Sequence, residues 1–147
     1  MKKALLFIHG YGSDRNSHKF QDLKTYFAQE YNCQCLEWVV FSDIPYLLNL
    51  VVQKSIKMKN VIIVGDSMGG NLAYQLLQIR NRPEDKLVLF SPLLDTYTIK
   101  IALPFPEIFC HYLVKISNLE NALVIVSKKD EVIDQQFVFD VVNKKFT

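Results

Sequence analysis

The sequence predicts an α/β fold with a mostly parallel sheet of about five strands and helices on both faces. Three observations carry this: short continuous apolar runs, segments of helical spacing between them, and their strict alternation. Runs apolar over four to six residues suit strands buried on both faces, and parallel neighbours require crossover connections.

The first run is Ala4–Ile8. Although Met1-Lys2-Lys3 precedes it, the run is too short for a signal peptide and ends in His9-Gly10 with no small-residue cleavage site. Phe20, Leu23, Phe27 and Tyr31 then mark one helical stripe. Cys33–Trp38, partly alternating, is a weaker strand. Leu47, Leu50 and Val51, with Ile56 nearby, define a second helix begun through Ser42 or Asp43 and Pro45. Lys59–Val64 is the third strand and residues 70–80 the third helix, with Asn81 and Pro83 as its stop. Lys86–Phe90 and Ala122–Val126 complete the strands, and residues 134–145 read as a last helix. Residues 91–118, with Pro92, Pro104 and Pro106, break the alternation. They predict an irregular or short-helical excursion, either a linker packed on the sheet or a small cap over a pocket walled by Phe105, Phe109 and Tyr112.

Composition sets the bounds. A chain of 147 residues, 50% hydrophobic and 22% charged, predicts one domain over residues 1–147. At this length folding buries roughly 68% of the unfolded surface, so no staple is needed. Seventeen Lys and Arg against fifteen Asp and Glu leave a net charge of +2. That balance disfavours nucleic acid as a partner. Cys33, Cys35 and Cys110 are odd in number and lack zinc or thioredoxin spacing, which predicts a reduced, cytoplasmic setting and no metal. No stretch reaches the eighteen or so apolar residues of a membrane span.

The chemistry is concentrated in three segments. Gly65-Asp66-Ser67-Met68-Gly69 is G-x-S-x-G, a pattern met by chance in roughly one chain in twenty of this length. Here it lies between an apolar strand and an amphipathic helix, the context of a nucleophile elbow. So tight a turn strains the serine and needs almost no side chain two residues to either side, where Gly65 and Gly69 stand. Ser67 is the candidate nucleophile, and the Met68 N–H, at a helix start, is a candidate oxyanion donor. His9-Gly10-Tyr11-Gly12-Ser13 ends the first strand. Tyr11 is the candidate second oxyanion donor, while His9 and Gly10 organise the loop. Asp130, in the acidic cluster after the last strand, is the candidate acid that orients a base, and Glu131 and Asp134 read as solvated or helix-capping. A dinucleotide-binding reading is weak, because Gly-Asp-Ser-Met-Gly-Gly lacks G-x-G-x-x-G and follows the third strand.

These three segments, with Asp130-Glu131-Val132-Ile133-Asp134 the narrowest pointer, resemble the small bacterial α/β-hydrolases of the YqiA/YcfP-like esterase family, from the first residues to about Phe137. The resemblance implies an α/β-hydrolase-like fold, hydrolysis of small-molecule carboxylic esters or thioesters, no cofactor, Ser67 as nucleophile and Asp130 as triad acid. It also implies a further strand, a histidine loop and a closing helix after the acid. The sequence ends at Thr147 with no histidine after Asp130, which predicts a C-terminally shortened chain, a truncated reading frame or a fragment. An uncovered sheet edge, and self-association through it, would follow. His18 and His111 are the candidates for a relocated base. Losing the serine or histidine of a triad costs about a millionfold in turnover, with roughly a thousandfold over water retained. The expectation is therefore a serine hydrolase, inactive if no histidine serves, and its alternative is a non-catalytic binding or interaction protein on the same scaffold.

Overall fold

The computed structural model describes residues 2–100, 107–127 and 129–143. Five strands, β1 (Lys3–Ile8), β2 (Tyr31–Leu36), β3 (Ile62–Asp66), β4 (Lys86–Phe90) and β5 (Ala122–Ile125), form one sheet in the order β2-β1-β3-β4-β5. Every pairing is parallel. The α/β class read from the sequence holds.

Alternation sorts the strand residues between two layers. Leu5 and Phe7 of β1 and Val64 of β3 meet Phe20 of α1 (His18–Phe27) on one face. Leu6, Ile8, Ile63, Leu87 and Leu89 turn to the other, under α2 (Ile44–Lys54) and α3 (Met68–Arg80). Caps fix where the helices begin. Ser17 Oγ accepts from the Phe20 N–H at 3.2 Å, and Asp43 Oδ1 from the Tyr46 N–H at 3.1 Å with Pro45 in the first turn. Asn81, at φ 50°, closes α3 in the left-handed region.

Some boundaries differ from the periodicity. Tyr31 is the first residue of β2, and β2 stops at Leu36, short of Trp38. Tyr31 still packs on Phe27, edge to face with ring centroids 5.5 Å apart, so the stripe reports a shared core face and not a continuous helix. β3 runs to Asp66, because Gly65 and Asp66 remain in register with Leu89 and Phe90.

The excursion after β4 contains a 3-10 turn (Thr96–Thr98) and the short α4 (Glu107–Cys110). Phe105 lies outside the described residues. Phe109, which the sequence leaves open as a pocket wall or a core aromatic, is the latter: it is fully buried and stacks on Trp38 with ring centroids 5.0 Å apart. The final α5 (Gln135–Asn143) starts where expected, with Asp134 Oδ1 accepting from the Gln136 N–H at 3.0 Å; the expected extension to 145 lies outside the described residues. Among the described residues β5 has β4 on one side only, and its Leu123 and Ile125 are 60% and 45% exposed.

Candidate active site

The sheet order reverses between β1 and β3: from β1 the chain goes first to β2 on one side and then to β3 on the other. Open parallel sheets bind ligands at the carboxyl ends of the strands flanking such a switch point. Here those ends are Ile8-His9-Gly10 and Asp66-Ser67.

Ser67 joins β3 directly to α3 with φ 57° and ψ −117°, a conformation that costs a non-glycine residue of order 1–3 kcal/mol. The surroundings hold it there. Its N–H donates to Phe90 O at 2.8 Å, and its carbonyl accepts from the Gly70 and Leu93 N–H groups at 2.9 and 3.0 Å. A serine in the N-cap place ordinarily uses its hydroxyl to accept from the first helical turn, but Ser67 makes no such bond. The glycines leave no room for substitution. A Cβ on Gly69 would stand 2.2 Å from His9 O, and one on Gly65 would stand 2.5 Å from Gly70 Cα. Gly10 lies against the elbow, where a Cβ would meet Asp66 O at 3.2 Å.

His9 is fully built into the scaffold. Its Nε2 accepts from the Trp38 N–H at 3.1 Å, its Nδ1 donates to Gly10 O at 2.7 Å, and its carbonyl accepts from Trp38 Nε1 at 2.9 Å. These bonds select the Nδ1-protonated tautomer. The imidazole also stacks on Trp38 at 5.4 Å, so both ring nitrogens and one ring face are occupied.

A cavity of about 250 Å³ opens at the elbow and is lined by Ser67, Met68, Tyr11, Asp66 and Asp130, with Leu93, Ile99 and Ile133 among its apolar walls. Asp130 is held by its own loop: Oδ1 accepts from the Val132 and Ile133 N–H groups at 2.9 and 3.0 Å, and Oδ2 from Gln135 Nε2 at 3.2 Å. That loop is tied to the excursion by Lys100 N–H to Val132 O and Asp134 N–H to Thr98 O, at 2.6 and 2.8 Å. Glu131 is exposed.

Nothing in the sequence alone marks Asp66 or Lys19 as site residues, since Asp66 occupies a variable position of the G-x-S-x-G motif. Burial pushes the Asp66 carboxyl above its ordinary range, Lys19 opposes this from 3.4 Å, and Asp130 across the cavity adds to it. The Lys19 ammonium also lies 6.0 Å from the centre of the Phe90 ring.

The cavity therefore gathers Ser67, Tyr11, Met68 and Asp130, while Gly65 and Gly69 are buried in the turn around Ser67. It does not gather a histidine. His18 is exposed in the first turn of α1, and His111 is exposed just after α4. Among the described residues no group of three or more His, Cys, Asp or Glu could hold a metal ion. No helix among them is long and apolar enough to cross a membrane.

A family model for the alpha/beta hydrolase fold matches residues 24–107, more than half of the chain and all of the elbow. The chain belongs to the α/β-hydrolase fold family. Solved structures share the fold. The ydeN gene product of B. subtilis superposes with a TM-score of 0.68 at 19% identity, over 97% of this chain and 81% of that one. Alpha/beta hydrolase domain-containing protein 10 from mouse gives 0.72 at 16%, over 95% and 74%. An alpha/beta superfamily protein from Xanthomonas campestris pv. campestris gives 0.67 at 16%, over 100% and 83%. At such identities the likeness establishes the fold. The chain spans 40% and 36% of the length of two larger structures that it also matches. No curated protein matches the sequence significantly.

Proposed function

We propose that this α/β-hydrolase chain is built for serine-dependent hydrolysis of small carboxylic esters or thioesters, within the group that resembles the YqiA/YcfP-like esterases. One observation carries the reading: Ser67 sits in a strained turn with its hydroxyl uncommitted to the helix cap, facing a cavity shared with Asp130 and the Tyr11 loop. In this reading Ser67 Oγ attacks the acyl carbon while a base takes its proton. The Met68 N–H, which as the first of α3 has no acceptor within its helix, and the Tyr11 N–H stabilise the oxyanion. The alcohol or thiol leaves with the proton, and water releases the acyl group from Ser67. Asp130 orients the base, with His18 and His111 as its candidates.

A second reading, a non-catalytic binding protein on the same scaffold, is favoured by the lining of the cavity, to which none of the three histidines contributes. Hydrolysis of a short-chain p-nitrophenyl ester by wild type, Ser67→Ala, His18→Ala and His111→Ala separates the two. A rate lost in Ser67→Ala supports the hydrolase, and the histidine variant that also loses it identifies the base. Folded wild type no faster than Ser67→Ala supports the binding protein. We further propose self-association through the β5 edge, supported by exposed Leu123 and Ile125. Light scattering would rule this out if wild type and Leu123→Lys were both monomeric.

A further inference from the structure

Residues 47, 50, 51 and 54 of α2 share one helix face by their spacing, and they wall a second cavity of about 420 Å³ between α2 and the β2 edge. Its walls are apolar. Leu47, Leu50 and Val51 form one side, Leu36 and Met58 contribute to the rest, and Leu6 and the fully buried Leu76 close the inner end. The volume lies within the roughly 300–1,000 Å³ of small-molecule sites, and the lining has no residue in common with the Ser67 cavity.

Charge selects the class of ligand. Among the described residues Lys54, at the end of the same helix face, is the one ionised side chain of the lining. Met58 stands between Lys57 and Lys59, and residues 44–65 contain no Asp or Glu. Other polar groups offer little. Gln34 is exposed, and the Ser55 hydroxyl is committed to Val51 O and Arg80 at 2.6 and 2.8 Å. An apolar cleft with a cation and no acid complements a single alkyl chain with an anionic head. It lacks the convergent donors and acceptors that a sugar, nucleotide or peptide would need.

We propose that this cleft binds one monomeric fatty carboxylate, its chain against Leu47, Leu50, Val51 and Leu76 and its head group at Lys54. The site is independent of the chemistry at Ser67.

The test is displacement of a fluorescent polyene fatty acid, below its micelle concentration, by saturated carboxylates from hexanoate to dodecanoate. Binding is expected to saturate at one per chain and to tighten about three- to fourfold per methylene until the cleft is full. Lys54→Gln should weaken carboxylates about two- to fivefold and leave the matching alcohols unchanged. Leu50→Asp, checked for folding by circular dichroism, should abolish binding, and Ser67→Ala should not affect it. The proposal is overturned by absence of saturable binding, by carboxylates that Lys54→Gln leaves untouched, by loss of binding in Ser67→Ala, or by association with anionic vesicles only.

Discussion

The side chain of Asn71 pairs with the backbone of Val114 in both directions. Its Nδ2 donates to Val114 O at 2.8 Å, and its Oδ1 accepts from the Val114 N–H at 3.0 Å, as a neighbouring strand would. The same amide donates to Leu93 O at 2.9 Å, and Gln75, one turn on, bonds both Asn71 Oδ1 and Tyr112 O. Through Asn71, the helix that begins after Ser67 holds both ends of the excursion, including Leu93 at the cavity wall.

Asn71 is fully buried, so its removal would strand several backbone groups at once. Asn71→Ala is expected to cost about 2–4 kcal/mol, less than the full penalty of about 1–3 kcal/mol for each of the three backbone groups, because the Val114 pair, on a 38% exposed residue, can turn to water. Urea denaturation gives the value. A loss under 1 kcal/mol would mean that water replaces the amide and that the clamp is dispensable.

The pair Arg80 and Asp85 is buried to 1% and 0% exposure, with Nε to Oδ2 at 2.6 Å. Arg80 also donates to Ser55 O and Met58 O, while Asp85 Oδ1 accepts from the Val61 N–H just before β3. Asp85→Ala leaves a buried guanidinium without its counter-charge and is expected to cost about 3–5 kcal/mol. The double variant Arg80→Met, Asp85→Leu should lose less than Asp85→Ala alone. Equal or greater loss in the double variant would show that the backbone bonds of Arg80 matter more than its charge.

Asp66 makes stability depend on pH. Because burial raises its folded pKa above the ordinary 3.8, the folded state binds more protons between the two values, and the Asp66 contribution to stability falls as pH rises through that window. Asp66→Asn should match wild type below the window, gain on it across the window and keep a constant advantage above. Lys19→Ala, which removes the opposing charge, should extend the window upward. Urea titrations at a series of pH values read the difference directly, and a flat or reversed difference would contradict this account.

The sheet was legible because its strands are short apolar runs whose neighbours along the chain are crossover helices, as Leu5–Ile8 and Ile63–Val64 illustrate. The elbow was legible because strain at Ser67 must be relieved locally, by Gly65 and Gly69 within two residues. The clamp was not: Asn71 reads as an ordinary polar helix residue, and its partner Val114 lies 43 residues away. Trp38 likewise looked like the end of a strand, since nothing local reveals that its ring lies between His9 and Phe109. The motif leaves the position of Asp66 free, and only the fold brings Lys19 and Asp130 to it.

The central claim is that Ser67 is a nucleophile held ready at the elbow. The most direct measurement is covalent labelling by a serine-directed fluorophosphonate, followed by intact mass and peptide mapping on folded wild type and Ser67→Ala. One adduct per chain is expected, mapped to Ser67 and absent from Ser67→Ala. Unlabelled wild type, or equal labelling of both proteins, would contradict it.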